Sequence, residues 1–408
     1  TTAEKKRILL NNIYGVDIDR QAVEVTKLSL LLKVLEGESQ ETLGQQLRLW
    51  QERALPDLGN NIKCGNSLIG PDYFEAQLLP DEDEVRRVNP FDWQAEFPDV
   101  FARPDRSRKT CQVCGGFDVV IGNPPYVFGE YLPAEAKTYF REHYRCAVGQ
   151  YDTYWLFTER GISLTRQGGH AGMIVPDALL ARDEAVVVRK LLLENGLVAL
   201  YHCGQVFQKV GVSALVYVLS KPEDDKVPAT IDIFIREGKT PKFLHKCFEI
   251  HFTDDDLVRF TIYLSPQERE TIAKIQSQAA AIADFTEISR GEEIGKKNTG
   301  AKGPVPILVG EDVARYRLSK PTRYISQAAK PTSHYRAPKL VMVKTGKRVV
   351  ATLDSEGLVT MQSLYNIHLK ASSRVRLEYL LAHLNSRLVT FYARKQFTGY
   401  KKLFPQFN

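Results

Sequence analysis

Apolar residues in this chain fall in short blocks that alternate between strand and helix spacing. Residues 12–17 (NIYGVD) read as a short strand ending in an acid. Residues 20–35 follow at once, with Ala22, Val25, Leu28, Leu31, Leu32 and Leu35 at helical spacing, which predicts one apolar face behind an Asp19 N-cap. Residues 61–64 predict a second strand, leading to the turn GNSL at 65–68. Residues 117–122 (FDVVIG) have the apolar density of a strand buried on both faces of a parallel sheet, and two prolines stop them abruptly. Further on, 151–165 predicts a helix, 171–175 (AGMIV) a buried strand, 177–195 a helix closed by Gly196, and 198–202 and 213–220 two more strands. The alternation predicts an α/β fold, an open sheet covered by helices.

The regularity lapses twice. Residues 71–108 are acidic first and basic later, with few periodic apolar positions, and read as an insertion of loops with a short helix; DEDE at 81–84 reads as a solvated face. From about 221, Pro, Lys and acidic residues cluster and long helices become rarer, which places a domain boundary there and divides the chain into 1–220 and 221–408. The second part predicts short strands, a helix over 266–281, a basic loop over 290–302, strand pairs within 340–370 and a helix over 375–395.

Composition adds limits. With 408 residues, 43% hydrophobic and 25% charged, the chain is globular in character. A formal charge of +6 suits a phosphate-bearing partner without demanding one. Six dispersed cysteines do not form a secreted disulfide framework, no run has the roughly 18 apolar residues of a membrane span, and no signal peptide opens the chain; the expectation is a cytoplasmic protein. Cys111 and Cys114 (CQVC) are spaced as half a zinc site, but no second pair follows, so no metal is expected.

The residues with the sharpest chemistry are Asn123, Pro124, Pro125 and Tyr126 (NPPY), directly after the apolar strand. A loop at the C-terminal end of such a strand faces the crevice where open α/β sheets bind ligands, and two prolines stiffen it. The Asn123 side-chain oxygen and the Pro124 carbonyl are two acceptors at fixed spacing, suited to drawing both hydrogens of an aromatic amine out of conjugation. Tyr126 offers a face on which a flipped base can stack.

FDVVIGNPPYV resembles the catalytic motif of adenine-specific (N6) DNA methyltransferases that carry a C-terminal target recognition domain, the group that includes fused type IIG restriction-modification enzymes. The resemblance implies a Rossmann-like methyltransferase sheet followed by a mixed α/β target recognition domain, S-adenosylmethionine as cofactor and double-stranded DNA as partner. YGVDID (14–19) resembles the strand whose terminal acid holds the cofactor ribose, which implies that role for Asp17. IKCGNSL (62–68) resembles the block that contacts the cofactor adenine, with Asn66 where the family often has Asp. VFQKVGVSALVYVL (206–219) resembles the block that supplies a second aromatic beside the target base, at Phe207; such a phenylalanine is equally well read as core. ISRGEEIGKK, PILVGEDVARY, KTGKRVVATLD and LEYLLAHLNSRLVTFY resemble the recognition domain; there Lys296, Lys297, Lys344, Lys347 and Arg348 are either phosphate contacts or solvated charge.

Residues 1–11 precede the YGVDID strand and contain no glycine, so the glycine-rich turn that cradles the methionine part of the cofactor is not among them. The sheet is therefore expected to be incomplete at its N-terminus. The expectation is a piece of a longer enzyme, partnered by an N-terminal segment or nuclease domain, or else a remnant that binds DNA without chemistry. Methylation of RNA or protein would use a similar loop.

Overall fold

The computed structural model describes residues 1–36, 56–75, 79, 81–102, 115–206, 212–223, 227–248, 250–253, 256–295 and 298–396. It forms two compact units, Thr1–Arg259 and Phe260–Asn408, with mixed α/β structure.

The first unit opens with α1 (Thr2–Asn12), β1 (Gly15–Asp17), α2 (Arg20–Leu35) and β2 (Ile62–Cys64). β1 and β2 pair in parallel from Gly15↔Ile62 to Asp17↔Cys64. Helix α2 has the predicted limits, and the Asp19 carboxylate accepts from the Gln21 N–H as its cap. It packs by a different face from the one expected. Val23 and Val34 are buried with Leu9, Leu58 and Ile62, flanked by Leu30 and Leu31, whereas Val25, Leu28 and Leu32 are exposed. The helix carries two overlapping apolar stripes, and among the described residues only the one facing α1 and β2 is covered.

The main sheet has six strands: β3 (Phe117–Gly122), β4 (Thr165–Pro176), β5 (Leu197–Gly204), β6 (Ala214–Ser220), β7 (Thr230–Glu237) and β8 (Thr240–Phe248). Their order is β3-β4-β6-β5-β7-β8; the β3–β4 and β5–β7 pairs are parallel and the others antiparallel. Strand β3 is an edge rather than a doubly buried strand: Val119 is 57% and Ile121 82% exposed. Apolar density had predicted burial, but with β4 as its sole strand neighbour among the described residues, β3 leaves that face open. The β5–β7 pairing also moves the domain boundary. Position 221 lies between β6 and β7, and Ile231 and Ile233 are buried, so the unit continues to Arg259.

The longer helices that follow α1 and α2 in this unit are α3 (Ala134–His143), α4 (Thr153–Leu164) and α5 (Val186–Glu194). Helix α4 packs on β3 and β4 and buries Tyr154, Trp155, Leu156 and Ile162. The predicted helix over 177–195 becomes two 3₁₀ turns, Asp177–Leu180 and Asp183–Ala185, before α5 begins. Carbonyls of those turns are taken by a side chain: the buried Arg189 guanidinium donates to Leu179 O and Arg182 O, both at 2.8 Å. Gly196 closes α5 at φ +80°, where a Cβ would lie 2.2 Å from the Ser220 carbonyl oxygen.

The stretch after residue 71 is more structured than expected. Glu82–Val88 is a helix with Glu82 and Asp83 exposed and Glu84 half-buried, and Trp93–Glu96 and Pro98–Phe101 are single turns. Phe91, Phe97 and Val100 are buried with Tyr14, Val16, Trp93, Phe101 and Phe117 around them. Aromatic size replaces periodicity here: a few large side chains supply the apolar area that a longer helix face would. Tyr14 and Phe117 touch at 5.7 Å between ring centroids, so β1 and β3 start from one aromatic cluster.

In the second unit, α6 (Pro266–Gln278) begins with a capping box between Ser265 and Glu268. A four-stranded antiparallel sheet follows the order β13-β12-β15-β9, where β9 is Thr286–Arg290, β12 Lys339–Val343, β13 Ala351–Asp354 and β15 Leu364–Leu369. Beside it, β10 (Val305–Leu308) pairs with β11 (Arg323–Ile325) and β14 (Val359–Thr360). The predicted C-terminal helix is two helices, α7 (Leu377–Leu384) and α8 (Arg387–Gln396). It breaks at Asn385, whose buried side-chain amide pairs both ways with the Ala351 backbone, accepting from N at 3.1 Å and donating to O at 2.9 Å. No helix among the described residues is long and apolar enough to cross a membrane.

Candidate functional site

Strand β3 pairs with β4 as far as Gly122↔Met173, so Asn123 leaves the sheet beside the last residues of β4. Pro124 is buried, while Asn123 and Pro125 are exposed. Neither the Asn123 amide nor the Pro124 carbonyl has a hydrogen-bond partner among the described residues. Tyr126 is pinned: its hydroxyl donates to Ile174 O at 3.2 Å, and its ring meets Tyr154 edge-on at 6.2 Å. Burial, with Cys203 nearby as a second cause, raises its phenol above the usual range and keeps it a neutral donor.

After Tyr126 the chain runs along the residues that lead into α4. Gly129 N donates to Tyr151 O at 2.9 Å, and Phe128 and Asp152 form an antiparallel bridge. A Cβ at Gly129 would lie 2.8 Å from the Tyr151 ring, so glycine permits this approach.

Asp152, the N-cap residue of α4, is 5% exposed, and its Oδ1 has no hydrogen-bond partner. Burial pushes its carboxyl up to about 6, against weaker opposing pulls from the Tyr154 N–H, Arg182 and the Thr153 N–H. The Arg182 guanidinium lies over the rings of Phe128 and Trp155, at 5.3 and 5.6 Å. Because the folded pKa is raised from 3.8, Asp152 costs stability once pH exceeds the folded value, and the cost vanishes below the unfolded value. Asp152→Asn is therefore expected to stabilise the protein at pH 7 by on the order of 2 kcal/mol. That gain should shrink towards zero as pH falls from 6 to 4. Thermal melts of both forms across that range check it; a difference independent of pH would refute it.

Asp17 and Asn66 come together at the ends of β1 and β2, where Gly65 N donates to Asp17 O at 2.9 Å. Asp17 is exposed, and its Oδ1 accepts from Asp19 N at 2.8 Å. Asn66 Oδ1 accepts from Leu68 N at 3.1 Å, closing its own turn, and Asn66 N donates to Asn89 O at 2.7 Å. The turn sits tightly on the aromatic cluster, since a Cβ on Gly65 would fall 2.3 Å from the Phe91 ring. Two short polar side chains thus stand at adjacent strand ends, one carrying charge, a donor set suited to ligand hydroxyls.

In the second unit, Lys344, Lys347 and Arg348 all lie in the loop between β12 and β13, and none makes an ion pair among the described residues. Burial, and then Arg290, lower the Lys344 pKa. Phe207, Lys296, Lys297, Cys111 and Cys114 lie outside the described residues.

The sequence reading missed Thr153, Asp152 and Arg182 beside the NPPY loop, and the buried His202–Asp177 pair, 3.3 Å apart at the ends of β5 and β4. Asp152-Thr153 did carry a signal, an N-cap residue type directly before a periodic apolar run.

Residues 11–207 match the Eco57I restriction-modification methylase family, and residues 305–408 match the TaqI-like C-terminal specificity domain. The type II restriction enzyme and methyltransferase RM.Eco57I of Escherichia coli is 34% identical over 195 residues, 47% of this chain and 16% of its own length. The type II methyltransferase M.TthHB8I of Thermus thermophilus is 25% identical over 312 residues, 71% of this chain and 69% of its own. The chain thus spans only a small part of the first relative and about two thirds of the second. Among solved structures, a nuclease-deletion mutant of the Type ISP restriction-modification enzyme LlaGI, in complex with a DNA substrate mimic, shares the fold: TM-score 0.50 at 10% identity, over 100% of this chain and 40% of that one.

Proposed function

We propose that this chain, which carries an Eco57I-like restriction-modification methylase domain and a TaqI-like C-terminal specificity domain, methylates adenine N6 in duplex DNA. The observation that carries this reading is the pair of open acceptors at the end of β3, on Asn123 and Pro124.

An adenine amine is a weak nucleophile because its lone pair is delocalised into the ring. Accepting its two hydrogens, on Asn123 Oδ1 and the Pro124 carbonyl, draws the nitrogen towards tetrahedral geometry and frees the lone pair. S-adenosylmethionine, when bound, supplies a methyl group on a sulfonium, open to direct in-line displacement. The amine nitrogen held by Asn123 and Pro124 would take that methyl group as its bond to sulfur breaks, and would then lose one of its hydrogens to solvent water. Tyr126 stacks on the extruded base, repaying part of the few kcal/mol that flipping costs, and Phe207 covers the other face. Asp17 fits the ribose hydroxyls of the cofactor, since it is exposed at a strand end; Asn66 beside it contacts the adenine of the cofactor. The donor set thus fits one end of the cofactor.

The basic residues Lys296, Lys297, Lys344, Lys347 and Arg348 engage DNA phosphates and orient the duplex without reading its sequence. The activity belongs to a restriction-modification system, as the names of the matched relatives suggest.

The test is transfer of labelled methyl from S-adenosylmethionine to unmethylated duplex DNA, with the product nucleoside identified by mass. N6-methyladenine is the expected product. Methylation of another base, or transfer to RNA in preference to DNA, would refute the reading; DNA binding without any transfer would make this a sequence-recognition module.

A further inference from the structure

We propose that Thr153 is the positioning residue of the NPPY loop, one hydroxyl that clips the chain on both sides of Tyr126 and thereby sets the two acceptors that hold the base. This rests on the methyl-transfer reading given above.

The loop needs such a clip. Two successive prolines remove two backbone donors and fix φ, but they leave ψ free, and it is ψ that aims the carbonyls. Thr153 Oγ1 donates to Pro125 O at 2.7 Å and accepts from Val127 N at 3.2 Å, while Thr153 N donates to Val127 O at 2.9 Å. The peptide planes before and after Tyr126 are therefore tied to one residue, and the Tyr126 hydroxyl is tied to Ile174 O.

Two consequences follow for the chemistry. With Pro125 O occupied, an amine held at Asn123 and Pro124 is not offered a competing carbonyl at the next residue. The Tyr126 ring is also fixed before any base arrives, which lowers the ordering cost of binding. The platform is rigid: Thr153 is 6% exposed at the first turn of α4, and the next residues inward, Trp155 and Leu156, are fully buried. Only a hydroxyl can give one proton and accept another here, so serine can replace threonine and the isosteric valine cannot.

The experiment compares the full chain as wild type, Thr153→Val and Thr153→Ser. Amide exchange at Val127 and steady-state methyl transfer to unmethylated duplex DNA are measured beside the melting temperature. In the valine variant the Val127 amide should exchange about tenfold faster, the loss of one hydrogen bond worth about 1.4 kcal/mol. kcat should fall roughly 100-fold, as for a small displacement of a reacting group, with KM for DNA little changed. Serine should restore both. Unchanged exchange in Thr153→Val, wild-type turnover despite faster exchange, or failure of serine to rescue would each overturn the proposal. If the wild type itself transfers no methyl, the methyl-transfer reading fails separately, and the exchange data still decide whether Thr153 holds the loop.

Discussion

Asn123→Ala is expected to reduce methyl transfer by at least about 100-fold, the scale seen when one preorganised polar group at a reacting centre is removed. Duplex DNA binding should stay close to wild type. Asn123 stands exposed at the end of β3, and its amide is bonded to nothing among the described residues, so truncation leaves no cavity and no orphaned partner among them. The loss should therefore be confined to the step in which the amine gains nucleophilicity. On the proposed reading, DNA affinity rests mainly on phosphate contacts, and an amide that holds the base is not one of them. Methyl incorporation and an electrophoretic binding titration, run on the same preparation, separate the two effects. Substantial activity in the variant would show that the base amine is not activated at this residue. Equal loss of binding and transfer would instead assign Asn123 to docking of the duplex.

The NPPY loop was legible because its message is local: four residue identities after an apolar strand determine which acceptors the loop presents. What surrounds the loop was less so. Thr153 lies 28 residues from Pro125 and 26 from Val127, and only the folded chain brings the hydroxyl between them. The strand at Phe117–Gly122 could be read from its apolar density, but density does not say which neighbour covers each face, and Val119 and Ile121 stand open. The same limit explains α2, where two apolar stripes overlap and periodicity alone could not choose the one carrying Val23 and Val34. Elements with a chemical punctuation mark fared better. Asp19 caps α2 and Gly196 ends α5, both at the expected places, and α6 starts at the expected position 266, where Ser265 and Glu268 box it. Asn385 shows the opposite case, a helix interrupted by a bond to Ala351 that lies 34 residues away.

Lys339→Ala is expected to destabilise the second unit by about 3–5 kcal/mol, the cost of leaving one member of a buried ion pair uncompensated. Lys339 opens β12 and Asp354 ends β13, opposite each other in the antiparallel register, and both side chains are fully buried. Each is saturated. The ammonium donates to the Asp354 carboxylate, to Tyr335 O and to Leu358 O, and the carboxylate also accepts from the N–H groups of Glu356, Gly357 and Leu358. Burial lowers the Lys339 pKa and the Asp354 partner pulls it back up, so removing either charge leaves the other buried without compensation. Lys339→Met with Asp354→Asn together should cost less than the sum of the two single changes, with a coupling of roughly 1–3 kcal/mol, because the double variant buries no lone charge and Asn can still accept from the backbone. Additive losses in denaturant melts would mean that the two groups are held independently. On the proposed reading the pair also bears on DNA binding: it locks the open end of the hairpin whose turn carries Lys344, Lys347 and Arg348. A hairpin loosened there should present these charges in many orientations, so Lys339→Ala is expected to weaken DNA binding below its own unfolding midpoint while methylase-unit residues keep their amide protection.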